Sequence, residues 1–310
     1  MSFALYIHIP FCKKKCNYCD FPSYAGKETL IPDYIEALRS ESGYLSSIYE
    51  RPQINSIYVG GGTPTLLSEE NISELFNVIT KDFDVQPNVE VTVEANPGTI
   101  SKEKLKVLIS AGVNRISLGA QTFNNKLLKK LGRIHLEHEI TEVYGLIREA
   151  GIKNINLDLI FSLPGESLKD WQETLKKAAS LAPEHISTYN LQIEEGTPFF
   201  EERLEGSLII PPEDLELEMY KTAIDLLTEN GYKHYEISNF AKEGFECDHN
   251  KIYWSLEDYI GIGLGAHSYI NGTRIENTIK LVEYLTKDFS KIKIEHKNTK
   301  KENMQEFIFL

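Results

Sequence analysis

The stretch Cys12-Lys13-Lys14-Lys15-Cys16-Asn17-Tyr18-Cys19 gathers three of the chain's four cysteines. It follows an apolar run, Ala4-Leu5-Tyr6-Ile7-His8-Ile9, with no breaker before Pro10. Thiolates are soft ligands that suit zinc or iron–sulfur clusters. A structural zinc site closes with four ligands; this stretch supplies three, and Cys247 is remote in sequence. A cubane cluster held by three cysteines keeps one iron open to a small molecule. Cations beside a thiol lower its pKa, so Lys13, Lys14 and Lys15 are expected to favour the thiolates and offset a cluster's negative charge. The competing readings are a zinc site completed by His8 and a chance cluster of cysteines.

A chain of 310 residues supports a large domain, or one and a half, with a substantial core. Its net charge of −13 argues against a nucleic-acid partner, which needs a basic surface. No apolar run approaches the ~20 residues of a membrane span, and the N-terminus enters a strand pattern without a signal peptide. Cysteines needed in reduced form fit a reducing compartment. The expectation is a cytoplasmic protein with no transmembrane segment, leaving peripheral membrane contact and a homodimer open.

Strand and helix patterns alternate from the first residues onward. Strands are expected at Leu5 to Ile9, Ser56 to Val59, Val89 to Val93, Arg115 to Leu118, Ile155 to Leu157 and His185 to Leu191. Helices are expected after the first five, opened by Pro32, Ser68, Ser101, Leu136 and Ser167, and another runs from Pro211-Pro212 to about Glu229, with Gly112, Gly151 and Gly231 as stop signals. Six β-then-α units in succession point to a parallel sheet with right-handed crossovers. The predicted fold is α/β, a partial (β/α)6 TIM-type barrel over 1–210, followed by a smaller α+β region over 211–310. The apolar ending Phe307-Ile308-Phe309-Leu310 suggests that this second region is truncated. In such barrels chemistry collects at the C-terminal ends of the strands. The cysteines, Gly60-Gly61-Gly62, Glu94, Gln121 and Asp158 all fall there, which predicts one shared site.

Glycines at 60–62 let a backbone approach a ligand closely. Gly261-x-Gly263-x-Gly265 lacks the dinucleotide spacing and reads as a close backbone approach. Arg133 could pair with a carboxylate, Glu94 with a ribose or ammonium group, and Tyr18 could stack on an adenine or simply pack.

The C-x3-C-x2-C pattern with an aromatic before its last cysteine resembles the radical S-adenosylmethionine (SAM) superfamily. That resemblance implies a [4Fe–4S] cluster on Cys12, Cys16 and Cys19, with SAM chelated at the open iron. Tyr6-Ile7-His8-Ile9-Pro10-Phe11-Cys12, Gly60-Gly61-Gly62-Thr63-Pro64, Glu94-Ala95-Asn96-Pro97, Gly119-Ala120-Gln121 and Asp158-Leu159-Ile160-Phe161 resemble the oxygen-independent coproporphyrinogen III oxidase group. In that group Tyr6, Gly61 and Glu94 serve a first SAM, while Gly62, Thr63, Gln121, Arg133 and Asp158 line a second. Two branches differ. The oxidases carry an additional cysteine where this chain has Phe21, and an N-terminal extension before the first cysteine; His249-Asn250-x-x-Tyr253-Trp254 looks like the HemW-type heme chaperones. The chaperone branch implies heme as cargo, apo-hemoproteins as acceptors, and His249 as a heme contact or axial ligand, with Cys247 as a less favoured alternative. The other reading is a coproporphyrinogen dehydrogenase that decarboxylates propionates by radical chemistry.

Overall fold

The computed structural model describes residues 2–289, 293–299, 301–302 and 304–305; the apolar ending at 307–310 lies outside them. Six parallel strands form the frame: β1 (Ser2–Ile9), β2 (Gln53–Gly61), β3 (Asp84–Ala95), β4 (Arg115–Gln121), β5 (Asn154–Phe161) and β6 (His185–Asn190), hydrogen-bonded in that order. The helices between them are α1 (Ile31–Ile48), α2 (Glu69–Asp82), α3 (Lys102–Ser110), α4 (Asn125–Lys130), α5 (Glu137–Glu149) and α6 (Leu168–Ser180). The expected order of units is therefore present, and the sheet stays open as a partial barrel.

Sequence signals set the helix starts. Ser68 and Ser101 accept backbone N–H bonds from Asn71 and Lys104, and Ser167 exchanges bonds with Asp170 in a capping box, satisfying donors that a helix start leaves free. The six-residue α4 is too short to show a period in sequence and is held by the Asn124 cap. Strands β2 and β3 begin before the expected Ser56 and Val89, because they continue their mutual ladder at Gln53–Asp84 and Ile54–Val85, and β1 also pairs with β2 there.

Beyond residue 210 the chain extends the same sheet. After α7 (Pro198–Leu204) and α8 (Glu213–Glu229), β7 (Asn239–Ala241) runs antiparallel on the edge of β6. Then α9 (Asp248–Trp254) leads to β8 (Tyr259–Ile262), which pairs parallel with the free edge of β1 and is followed by β9 (His267–Ile270), β10 (Thr273–Asn277) and β11 (Lys293–Lys297). The Gly261-x-Gly263-x-Gly265 run is the close backbone approach expected of it. A Cβ on Gly261 would lie 2.0 Å from the His267 carbonyl oxygen, and one on Gly263 (φ +102) 2.6 Å from that of His8.

Most apolar faces of the strands and helices merge into a main core, from Phe3 and Leu5 through Ile116 and Leu157 to Trp171 and Tyr284, with smaller clusters around Leu131 and Phe199 and around Ala4 and Tyr259. Inside the barrel the filling is partly polar. Arg115 pairs with Glu90 at 3.2 Å, and both side chains are buried. Asn156 donates to Ser117 and Asp158 and accepts from Ser187. These groups occupy the inward positions below the strand ends, so the site above them rests on a hydrogen-bonded floor. No helix among the described residues is long and apolar enough to cross a membrane.

Candidate functional site

One cavity of about 430 Å³ opens at the C-terminal ends of the six strands. Its walls include Cys12, Cys16, Cys19, Tyr18, Gly61, Gly62, Thr63, Glu94, Gln121, Arg133 and Asp158, so the strand-end residues that the sequence singled out converge. Tyr6 and His249 are not in that lining.

The cysteine loop is pinned on three sides. The Asn17 N–H donates to Leu131 O at 2.9 Å, its side-chain amide donates to Lys130 O, and its carbonyl accepts from Phe199 N. On the other flank, Gly62 N donates to Ile9 O and Thr63 N to Phe11 O, both at 2.8 Å. The glycines serve this clamp. A Cβ on Gly61 (φ +106) would fall 2.5 Å from the His8 ring, and one on Gly62 2.7 Å from Phe11 O and 3.0 Å from Cys12 Sγ. Protein atoms, not only a ligand, therefore require the triplet.

The donor set fits a cluster better than a single ion. Among the described residues no three His, Cys, Asp or Glu side chains converge on one point as a lone metal would need, yet the three thiols line a single cavity. His8, the fourth ligand of the competing zinc reading, instead bonds Tyr6 through Nδ1 and Pro22 O through Nε2. The lysines act less than anticipated. Burial pushes the Cys12 thiol up against a lowering hydrogen bond from Thr63, and pushes Cys19 up to about 11, with Lys15 a smaller opposing influence. Loading the site must therefore displace thiol protons.

The acidic floor comes from β3 and β5. Glu94 accepts from Tyr58 Oη at 2.9 Å and from Gly61 N at 3.1 Å. Burial first, then the nearby Asp158, raises its carboxyl to about 7. Asp158 accepts from Ser117 Oγ at 2.7 Å and Asn156 Nδ2 at 2.8 Å; burial raises it too, and these bonds oppose the shift. Because the folded form of Glu94 holds its proton above the ordinary carboxylate pKa, its contribution to apo-protein stability is lost as pH rises through about 7. Glu94→Gln removes that dependence. Between pH 5 and pH 8 the variant should gain about 2 kcal/mol on the parent, read by urea denaturation at the two pH values; parallel pH profiles would count against the assignment.

Gln121 reaches the cavity from a residue with φ of 64°, beside a register shift between β4 and β5 at Gly119. A bulge with a left-handed residue re-aims a side chain. Gly119 is needed there: a Cβ would sit 2.6 Å from Asn96 Oδ1 and 2.9 Å from Gln121 Nε2.

Tyr6 and His249 lie beneath. The Tyr6 ring is 6.3 Å from Tyr58, behind the cavity wall. His249 is 1% exposed, its ring is 5.3 Å from Tyr58, and both its nitrogens are engaged, Nδ1 with Ser56 Oγ and Nε2 with Tyr253 Oη, each at 2.9 Å. Burial lowers its pKa to about 3. In this arrangement the imidazole is a packing and hydrogen-bonding group and is not presented as an axial ligand. Cys247 is likewise buried and donates to Glu90.

Residues 6–178 match the Radical SAM superfamily. Across the whole chain, the heme chaperone HemW of Bacillus subtilis is 42% identical, covering 99% of this chain and 82% of that protein. The HemW of Lactococcus lactis is 41% identical, with 99% and 80% covered. The chain belongs to the HemW family. Membership of the radical SAM superfamily implies a [4Fe–4S] cluster and SAM. The coproporphyrinogen III oxidase HemN of Escherichia coli superposes with a TM-score of 0.86 at 24% identity, covering 99% of this chain and 74% of that one; this likeness shows the shared fold. Within this HemW-family fold, Asn96, Tyr58 and Tyr189 also line the cavity. Asn96 was visible only as part of the Glu94-Ala95-Asn96-Pro97 motif, and the two tyrosines carried no sequence signal beyond lying in strands.

Proposed function

We propose that this chain binds heme and passes it to acceptor proteins, holding a [4Fe–4S] cluster on Cys12, Cys16 and Cys19 and SAM beside it. Near-full-length similarity to relatives named heme chaperones carries the reading. When bound, the cluster and SAM supply one-electron chemistry. The chain's own residues position and enclose them. Gly61 and Gly62 bring the backbone close, Glu94 and Asp158 offer acceptors for ribose or ammonium donors, and Tyr18 offers a ring for an adenine. A cavity of this size suits a single ligand of drug-like dimensions. The reading therefore takes one SAM beside the cluster, with Gln121, Arg133 and Asp158 completing the same chamber.

The heme is assigned to the mouth of the cavity. Phe21 and Tyr189, 58% and 42% exposed, line it from the cysteine loop and the end of β6; aromatic side chains suit the faces and edges of a flat macrocycle. Lys14 and Lys15 stand in the same lining for the propionates.

An anaerobic heme titration of reconstituted protein tests this. Saturable one-to-one binding is expected, weakened about tenfold, or 1.4 kcal/mol, by Phe21→Ala combined with Tyr189→Ala, and within about twofold of the parent in His249→Gln. Absence of saturable binding in the parent sinks the heme reading. Loss of binding in a folded His249→Gln variant would return the heme to the α9 motif.

A further inference from the structure

Three side chains, Thr63, Asn96 and Arg133, form a hydrogen-bonded arc between Cys12 and Cys16. Thr63 Oγ1 donates to Cys12 Sγ at 3.7 Å, and Asn96 Nδ2 donates to Thr63 Oγ1 at 2.9 Å. On its other side, Asn96 Oδ1 accepts from Arg133 Nη2, while Arg133 Nη1 donates to Cys16 Sγ at 3.7 Å. Arg133 Nη2 also donates to Gly119 O at 2.8 Å. Asn96 thus touches neither cysteine but orients the donors to both.

Its own placement is fixed. The Asn96 carbonyl accepts from Thr99 Oγ1 at 2.7 Å and Thr99 N at 3.1 Å, and Gly119 leaves the space its amide fills. The amide can face only one way: turned over, its NH₂ would meet the guanidinium donors, and its oxygen would leave Thr63 without a donor. In the observed orientation every bond in the arc points a proton toward sulfur.

We propose that Asn96 is a positioning residue that raises the reduction potential of the cluster, acting through Thr63 on Cys12 and through Arg133 on Cys16. Reduction adds negative charge to the cluster and its thiolates. Donors and a guanidinium aimed at those sulfurs stabilise the reduced form more than the oxidised one. Asn96 supplies what neither donor has alone. It leaves the Thr63 hydroxyl proton free to point at Cys12, and it holds one arm of Arg133 so that the other reaches Cys16.

The test is a potentiometric titration of reconstituted protein, followed by the electron paramagnetic resonance of the reduced cluster. Asn96→Leu keeps approximate volume and removes both bonds; Thr63→Val removes only the hydroxyl. At a fixed poise, the ratio of reduced to oxidised cluster should fall about tenfold in Asn96→Leu, a 59 mV lowering for a one-electron couple. Thr63→Val should fall by a smaller factor in the same direction. A purely structural role would lower iron content without moving the midpoint. Midpoints equal to the parent's in Asn96→Leu overturn the proposal. Should Asn96→Leu fail to load a cluster, an unshifted Thr63→Val overturns it and a lowered one supports it.

Discussion

Cys19→Ala is expected to abolish cluster uptake and leave the fold intact. Of the three thiols in the cavity only Cys12 and Cys16 would remain to hold the cluster. Changes in groups that merely support a ligand typically cost about 10–100-fold in metal affinity, so removing one of three ligands should cost more. The loop's shape does not depend on that thiol. It is set by Asn17 against Leu131, Lys130 and Phe199, and by the Gly62 and Thr63 amides against β1 and Phe11. Cys247→Ala should show the reverse behaviour. That sulfur is buried beside Glu90 and Arg115, and losing it leaves Glu90 short of one donor at a cost of about 1–2 kcal/mol. Iron and sulfide per chain after anaerobic reconstitution, paired with urea denaturation, separate the two. Parent-level iron in Cys19→Ala would show that the cluster sits elsewhere.

Local patterns carried much of this site. The cysteine spacing, the alternation of units and the polar residues closing each strand are short-range features, and a barrel gathers strand ends whatever its side chains are. What depended on tertiary contact was misjudged or invisible. The glycine triplet read as room for a ligand, and only the fold shows that His8, Phe11 and Glu94 also crowd the space around it. The lysines beside the cysteines promised thiolates, but burial outweighs them at Cys12 and Cys19. His249 looked available because a sequence cannot show that α9 packs against β2, where Ser56 and Tyr58 meet the imidazole. Asn96 had no distinguishing chemistry until Thr63 and Arg133 were placed on either side of it.

A second large effect is expected far from the cavity, at Glu41. This carboxylate lies on α1 and is 0% exposed. It accepts from Gly263 N at 2.8 Å, Asn277 Nδ2 at 2.8 Å and Tyr284 Oη at 2.7 Å. One side chain thereby ties the first helix to the loop after β8, the end of β10 and the segment beyond. Beside it, Tyr34 donates to His8 O and accepts from Leu264 N, linking the same loop to the strand that enters the cysteines. Glu41→Ala would strand three buried donors and open a void, for which about 3–5 kcal/mol is the expected cost. Tyr34→Phe keeps the ring and loses only the two hydroxyl bonds, so about 1–2 kcal/mol should be lost. Urea denaturation of both variants checks the ranking. A Glu41→Ala variant as stable as Tyr34→Phe would mean that the contacts after β8 close without the carboxylate. With the expected ranking, the strand beside β1 is held by a buried acid, next to the Tyr34 hydroxyl that bonds His8 O, so loosening Glu41 should lower cluster retention even though it touches none of the cysteines.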